Sequence, residues 1–225
     1  NKPINVILLV GDKGDYNTDT MMVANFDPST SQLNIMSIPR DTKIILENGK
    51  AVKINSIYVN KGGDALLMEI LSDMLDIDIE YYAYFNLSTF RKIIDLLGGV
   101  WIDVPCDLDY DDPHQDLHIH LKKGRQLLDG NKSEEYLRFR HPNDGGYTKE
   151  LLQFYDGSDL KRIEAQQKFI KEFVKQKAKI SNLPKLNTII DTVFENLETN
   201  FSLSEVLKLA KLETIKDFSV DKVNI

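Results

Sequence analysis

The chain opens with short, nearly unbroken apolar runs separated by turn formers. Val6 to Val10 is continuously apolar and too short for an ordinary helix, as suits a strand covered on both faces. It breaks at Gly11-Asp12-Lys13-Gly14-Asp15, whose composition is that of a turn. Thr20 to Phe26 reads as a second strand, Asp27-Pro28-Ser29-Thr30 as a turn, and Leu33 to Ile38 as a third strand ended by Pro39.

Beyond this point the period lengthens. Leu66, Leu67, Ile70, Leu71 and Met74 recur at helical spacing and predict a helix over 65–75. Tyr82 to Phe85 is a short strand, and Ser88 to Leu97 a helix stopped by Gly98-Gly99. Val100 to Val104 is a strand closed by Pro105, and Leu117, Ile119 and Leu121 alternate with histidines as a half-exposed strand does. Glu134 to Phe139 is expected to be helical. Leu160 to Ile180 is the longest predicted helix, followed by Leu186 to Leu197 and Leu203 to Leu212. Such a mixture predicts an α/β fold: a central mixed sheet flanked by helices, an αβα sandwich. No repeat or linker divides the chain, so residues 1–225 are expected to form a single domain.

Composition changes this picture little. The 225 residues are 42% hydrophobic and 28% charged, the balance of a soluble globular protein with one large core. A formal charge of −7 argues against a general nucleic-acid partner, but does not exclude a local phosphate pocket. The single cysteine, Cys106, rules out an internal disulfide framework and any zinc site needing two thiolates, and is expected to be packed and inert. No segment reaches the roughly 18–20 apolar residues of a membrane span. Any export signal or membrane anchor is expected upstream of Asn1.

Candidate chemistry follows from where the strands end. If the first three strands form an antiparallel meander, Asp12, Asp19, Arg40 and Asp41 gather at one edge of the sheet. Carboxylates and a guanidinium so placed suit a hard divalent cation beside a phosphate, although aspartates at strand ends also serve simply as turn formers. The long helix carries a second anomaly. Asp159, Arg162, Gln166, Phe169 and Phe173 form one stripe, apolar at its carboxyl-terminal end and charged at its amino-terminal end. An arginine on a core-facing stripe must meet a pocket or an ion pair. Upstream, Arg138 and Arg140 flank Phe139; in an extended stretch both guanidinium groups point the same way and suit phosphate oxygens. Salt bridging to Glu134, Glu135 or Asp144 is the alternative.

Other chemistries find less support. No P-loop or G-x-G-x-x-G follows a strand. His118 and His120 share a strand face, but no H-E-x-x-H pattern or carboxylate at helix spacing accompanies them, and they read as solvated residues. Asp109-Tyr110-Asp111-Asp112 reads as an exposed acidic loop, and Trp101 as core or rim.

With these residues located, the chain resembles the LytR-CpsA-Psr family through eight segments in order, over roughly residues 5 to 170. They are Asn5-Val-Ile-Leu-Leu-Val-Gly-Asp12, Thr18-Asp-Thr-Met21, Ser37-Ile-Pro-Arg-Asp-Thr42 and Lys53-Ile-Asn-Ser-Ile-Tyr58. The later four are Leu97-Gly-Gly-Val-Trp-Ile-Asp-Val-Pro105, Lys123-Gly-Arg-Gln-Leu-Leu-Asp-Gly130, Tyr136-Leu-Arg-Phe-Arg140 and Asp159-Leu-Lys-Arg-Ile-Glu-Ala-Gln-Gln167.

The resemblance implies a catalytic domain completed by the helices over 186–212, at the extracytoplasmic face of a bacterial cell membrane and anchored through a preceding segment. It implies a phosphotransferase that moves a glycopolymer, such as a teichoic acid or capsular polysaccharide, from a polyprenyl-pyrophosphate carrier to peptidoglycan. Asp12 and Asp19 would hold Mg²⁺, with Mn²⁺ as an alternative. Arg40, Lys53, Arg138, Arg140, Arg162 and Gln166 would hold the pyrophosphate, and Asp159 would support the arginines or help deprotonate the acceptor. A lipid tail would need an apolar tunnel, with Phe90, Ile94 and Leu97 as candidate lining. A lipid-phosphate-binding regulatory protein and a polyprenyl-pyrophosphate pyrophosphatase are the alternatives. Two departures stand out: Asn17 occupies a position where the family often has arginine, and the stretch between Arg140 and Asp159 is long, as an inserted surface loop or lid would be.

Overall fold

The computed structural model describes residues 2–11, 18, 20–177, 186–205 and 217–222. They fall into two compact units, residues 1–89 with 179–225, and residues 90–178.

The first unit begins with the expected meander. Strands β1 (Ile4–Gly11), β2 (Thr20–Asp27) and β3 (Gln32–Ser37) pair antiparallel, with Val10 opposite Thr20 and Met22 opposite Ser37. A small hairpin of β4 (Lys43–Ile45) and β5 (Ala51–Lys53) follows, then a 3₁₀ turn over Ile54–Ser56 and helix α1 (Gly63–Leu75). Strand β6 (Tyr81–Asn86) returns parallel to β1. In β1, Ile7 and Leu9 bury against Met21, Val23, Leu67 and Leu71, while Val6, Leu8 and Val10 on the other face are half-buried. Cover on both faces explains why the run has no polar alternation.

Helix α2 (Leu87–Leu96) leads into the second unit, which starts at Phe90. The helix ends as its glycines require: Gly98 and Gly99 have φ of 78° and 75°, and Gly99 N–H donates to the Ile94 carbonyl at 2.9 Å. Next come β7 (Val100–Val104), β8 (Leu108–Asp112), β9 (Leu117–Leu121) and β10 (Gly124–Leu128), forming two antiparallel pairs, β7 with β10 and β8 with β9. Asp109–Asp112 therefore belongs to a strand and not to a loop. Leu108 turns into the core, Asp109 and Asp111 face out, and the partner strand supplies the hydrogen bonds that the composition disguises.

Helix α3 (Gly130–Arg138) starts earlier than its apolar pattern predicts, because Asp129 caps it by accepting from the Lys132 N–H. The short α4 (Leu151–Phe154) precedes α5 (Asp159–Lys177), the longest helix described. Ala165 and Phe169 of α5 pack into a core with Ile94, Ile102, Val104, Tyr136, Phe139 and Tyr155. Cys106 lies in this core, and burial pushes its thiol up to about 11, so it stays protonated at neutral pH. Trp101 is a rim residue, 47% exposed, with the Arg125 guanidinium 5.6 Å from its ring centre.

The chain then re-enters the first unit through α6 (Leu186–Glu195), β11 (Leu197–Thr199) and β12 (Asp217–Lys222). Leu197 begins a strand and does not end the helix; its segment pairs antiparallel with β6. Of the helix expected over 203–212, only the first three residues are described, and they are helical. The completed sheet runs β11-β6-β1-β2-β3-β12, with β12 parallel to β3, so the fold is α/β with a mixed sheet flanked by helices. Among the described residues, no helix is long and apolar enough to cross a membrane.

A polar rung crosses four of these strands. Asn25 donates to Asn5 Oδ1 at 2.7 Å, Asn34 to Asn25 Oδ1 at 3.3 Å, and Ser219 to Asn34 Oδ1 at 2.9 Å. Asn5 also donates to the Asp78 carbonyl at 2.8 Å. The rung coincides with the pairing register, in which Asn5, Asn25, Asn34 and Ser219 are successive cross-strand neighbours. A slip of one residue would leave partly buried amides unpaired and turn the apolar face outward.

Because Phe169 touches the rings of Phe90, Tyr136 and Phe173, Phe169→Ala is expected to lower stability by about 3–5 kcal/mol. Urea unfolding with unchanged slope would measure this loss.

Candidate functional site

The meander brings the end of β1 and the start of β2 together at one sheet edge, through the Val10–Thr20 pair. Arg40 reaches the same edge through backbone bonds. Its carbonyl accepts from Asn55 N–H at 3.3 Å, and the Asn55 carbonyl accepts from buried Thr18 N–H at 3.2 Å. Asp12, Asn17 and Asp19 lie outside the described residues; their described neighbours Gly11, Thr18 and Thr20 stand at this edge.

Asp41 sits between two cations here. Lys53 Nζ lies 2.5 Å from Asp41 Oδ1, and Arg40 Nε 4.0 Å from Asp41 Oδ2. Lys53 ends β5, opposite Lys43 in the register, and the small hairpin brings its ammonium group to the Asp41 carboxylate. Exposure of Lys53 and Asp41 keeps the pair weak and open to exchange with an incoming anion. Sequence reading placed Arg40 and Asp41 at the edge, but did not pair Asp41 with Lys53, which is 12 residues away in a hairpin only three residues deep.

The second cluster belongs to the second unit. Arg162, in the first turn of α5, has a side chain 10% exposed, and its Nη2 lies 2.5 Å from Asp159 Oδ1. Four residues along the same stripe, Gln166 is buried and its Nε2 donates to the Leu137 carbonyl at 3.3 Å. That bond holds the last turn of α3 against α5.

The Arg138-Phe139-Arg140 segment departs from expectation. Arg138 is the last residue of α3; only Phe139, fully buried, turns the chain into extended conformation. The two arginines therefore do not share a strand face. Arg138 Nη1 donates to Glu134 Oε1 at 3.0 Å and its Nη2 to Gln115 Oε1 at 3.2 Å, whereas Arg140 Nε donates to the Gly157 carbonyl at 2.7 Å. The bond from Arg140 closes the base of the 141–158 segment. That segment is also pinned elsewhere: Leu151 and Tyr155 are buried, and Asn143 exchanges two hydrogen bonds with the Asp111 backbone.

Glu134 is the residue that sequence reasoning undervalued. It is buried, and its two carboxylate oxygens take Arg138 and Arg91 separately. The spacing of four between Glu134 and Arg138 was a legible sign; Arg91, 43 residues upstream, left none. Each guanidinium is thus held by a carboxylate or carbonyl in a partly dehydrated setting. Such a fork is oriented before a ligand arrives, and its planar N–H groups match phosphate oxygens. Phe90 and Ile94, candidates for a lipid tunnel, pack with Phe169 in the core of this unit.

Comparison with known proteins identifies the fold and the family. The TagV polyisoprenyl-teichoic acid–peptidoglycan teichoic acid transferase of Bacillus subtilis (strain 168) is 30% identical over 206 residues, 90% of this chain and 49% of that protein. A TagU transferase of the same description from Bacillus cereus (strain AH820) is 29% identical over 215 residues, 94% of this chain and 65% of its own. The chain thus spans about half the length of the first of these relatives and just under two thirds of the second. The crystal structure of B. subtilis TagV superposes with a TM-score of 0.76 at 26% identity, covering 99% of this chain and 85% of that one. The model of the LytR_cpsA_psr family matches residues 1–225, and the chain belongs to that family.

Proposed function

We propose that residues 1–225 act as one catalytic domain, a phosphotransferase that moves a glycopolymer from a polyprenyl-pyrophosphate carrier to peptidoglycan. The observation that carries the reading is Arg162, a nearly buried guanidinium held by Asp159 at the charged end of an otherwise core-facing stripe. The transferase descriptions of TagV and TagU support it and suggest a teichoic acid as the polymer.

In this reading Arg40, Lys53, Arg138, Arg140, Arg162 and Gln166 bind the pyrophosphate, and Asp159 orients Arg162. A hydroxyl oxygen of the acceptor sugar attacks the glycan-bearing phosphorus as its proton passes to Asp159 or to the departing phosphate, the bridging P–O bond breaks, and polyprenyl phosphate leaves. The guanidinium groups stabilise the charge that develops on the leaving phosphate. Asp12 and Asp19 offer hard oxygen donors of the kind Mg²⁺ or Mn²⁺ takes, and such an ion would neutralise phosphate charge. The carrier's lipid tail occupies an apolar tunnel, and the protein works at the extracytoplasmic face of the membrane, anchored by a preceding segment.

Arg162→Ala and Arg40→Ala are each expected to lower transfer of labelled glycopolymer from lipid-linked donor to peptidoglycan by about 10²–10³-fold. Arg162→Lys keeps a charge for Asp159 but loses the planar fork, and is expected to be folded and similarly slow. Wild-type rates in folded Arg162→Lys and Arg40→Ala would overturn the assignment, and rapid hydrolysis without acceptor would make the protein a pyrophosphatase. Chelation with EDTA is expected to stop transfer and added Mg²⁺ to restore it, with Asp12→Ala and Asp19→Ala raising the Mg²⁺ concentration required. Undiminished transfer in EDTA would remove the metal from the scheme.

A further inference from the structure

The outer face of the β8–β9 hairpin carries none of the residues assigned to pyrophosphate or Mg²⁺, and it has a chemistry of its own. Leu117, Ile119 and Leu121 point into the core, so His118 and His120 must point out. The register sets His118 opposite Asp111 and His120 opposite Asp109. His118 Nδ1 lies 2.5 Å from Asp111 Oδ1, and His120 Nδ1 2.7 Å from Asp109 Oδ1. Asp111 is shared, since its Oδ1 is also 3.4 Å from His120 Nε2, and Asp116 in the turn lies 3.7 Å from His118 Nε2. One ligand atom from each of Asp111, His118 and His120 falls within 4.8 Å of the others.

We propose that His118, His120 and Asp111 form a surface site for a borderline divalent transition ion, Zn²⁺ or its Ni²⁺ and Cu²⁺ analogues, with Asp109 as the supporting carboxylate. Ligands around a tetrahedral ion with bonds of about 2.0–2.1 Å stand roughly 3.3 Å apart, within the present spacing after small side-chain rotations. Two imidazoles select this class of ion over Mg²⁺ and Ca²⁺, which take oxygen ligands. Asp109, hydrogen-bonded to His120, fixes that ring in the way a carboxylate outside the ligand set orients a metal-bound histidine.

The local field favours a cation. His120 faces Asp109, Asp111 and Glu135, and the hydrogen bond its ring donates to Asp109, against a smaller desolvation effect, holds its pKa above the ordinary histidine value. The bond from His118 holds the Asp111 carboxyl below its ordinary value, so Asp111 is ionised at neutral pH.

The hairpin is also tied to its surroundings. Asn143 clamps the Asp111 backbone, and Gln115 in the turn accepts from Arg138. An ion that stiffens the hairpin therefore stiffens the supports of the 141–158 segment and of one pyrophosphate-assigned arginine.

The test uses tag-free protein in millimolar Mg²⁺, titrated with Zn²⁺ against a chromogenic chelator, with Co²⁺ absorption reporting coordination geometry. One Zn²⁺ per chain is expected, with affinity lost at least about tenfold in His118→Gln/His120→Gln and in Asp111→Asn. Zinc is expected to shift the ring resonances of His118 and His120 and to leave those of His114 and His141 in place. Unchanged affinity in both variants, or shifts confined to His114 and His141, would overturn the proposal. Should the double variant not fold, Asp111→Asn and the resonance shifts decide the matter.

Discussion

Positive charge held where water is scarce is the constraint on which the second unit depends. An arginine side chain that is nine-tenths dehydrated is tolerated only if an opposite charge or several acceptors stay with it. Asp159 meets that need for Arg162 from one turn earlier on the same helix, and Glu134 meets it for Arg138 and Arg91 together. These pairs are weak evidence for stability, since the cost of dehydration offsets most of the attraction. Their value lies in orientation. A fork already aimed by its carboxylate loses little entropy when a phosphate approaches, and Gln166 and Arg140 fix the surrounding backbone through carbonyl oxygens instead of further charges.

Much of this was legible from local pattern. The three opening strands stood out because apolar runs are bounded by Gly11, Asp27-Pro28 and Pro39, and the stripe from Asp159 to Phe173 because helical periodicity survives a change from apolar to charged residues. What escaped was decided by partners distant in sequence. β8 has one leucine, one tyrosine and three aspartates, and only pairing with β9 makes it a strand. The start of α3 depends on a single capping carboxylate, Asp129, and its end at Arg138 on the burial of Phe139, neither of which alters the periodicity. The separation of Arg138 from Arg140 follows from that helix end. The histidines of β9 were visible as a pair on one face, yet their carboxylate neighbours came from across a hairpin and not from helix spacing.

The two units solve the problem of polar groups by different means. In the second, polar side chains reach long distances to single backbone atoms: Gln176 brackets the Trp101 peptide from both sides, and Lys168 and Lys177 find the carbonyls of Asp103 and Leu97. Burial lowers the pKa of Lys177, which fits a stem laid over apolar surface with its amine turned to a carbonyl. In the first, polarity is gathered into the asparagine rung that runs across the strands.

The rung also bears on how the chain reaches its fold. Its last member, Ser219, lies 185 residues after its partner Asn34, and the strand carrying it is parallel to β3. A pairing of such long range carries a large loop-closure entropy and forms late, after the meander it joins. Until it forms, the outer edge of β3 exposes unpaired backbone amides, and that edge invites strands from other chains. A protein secreted or synthesised from its amino terminus would therefore pass through a stage in which most of its sheet exists without its edge.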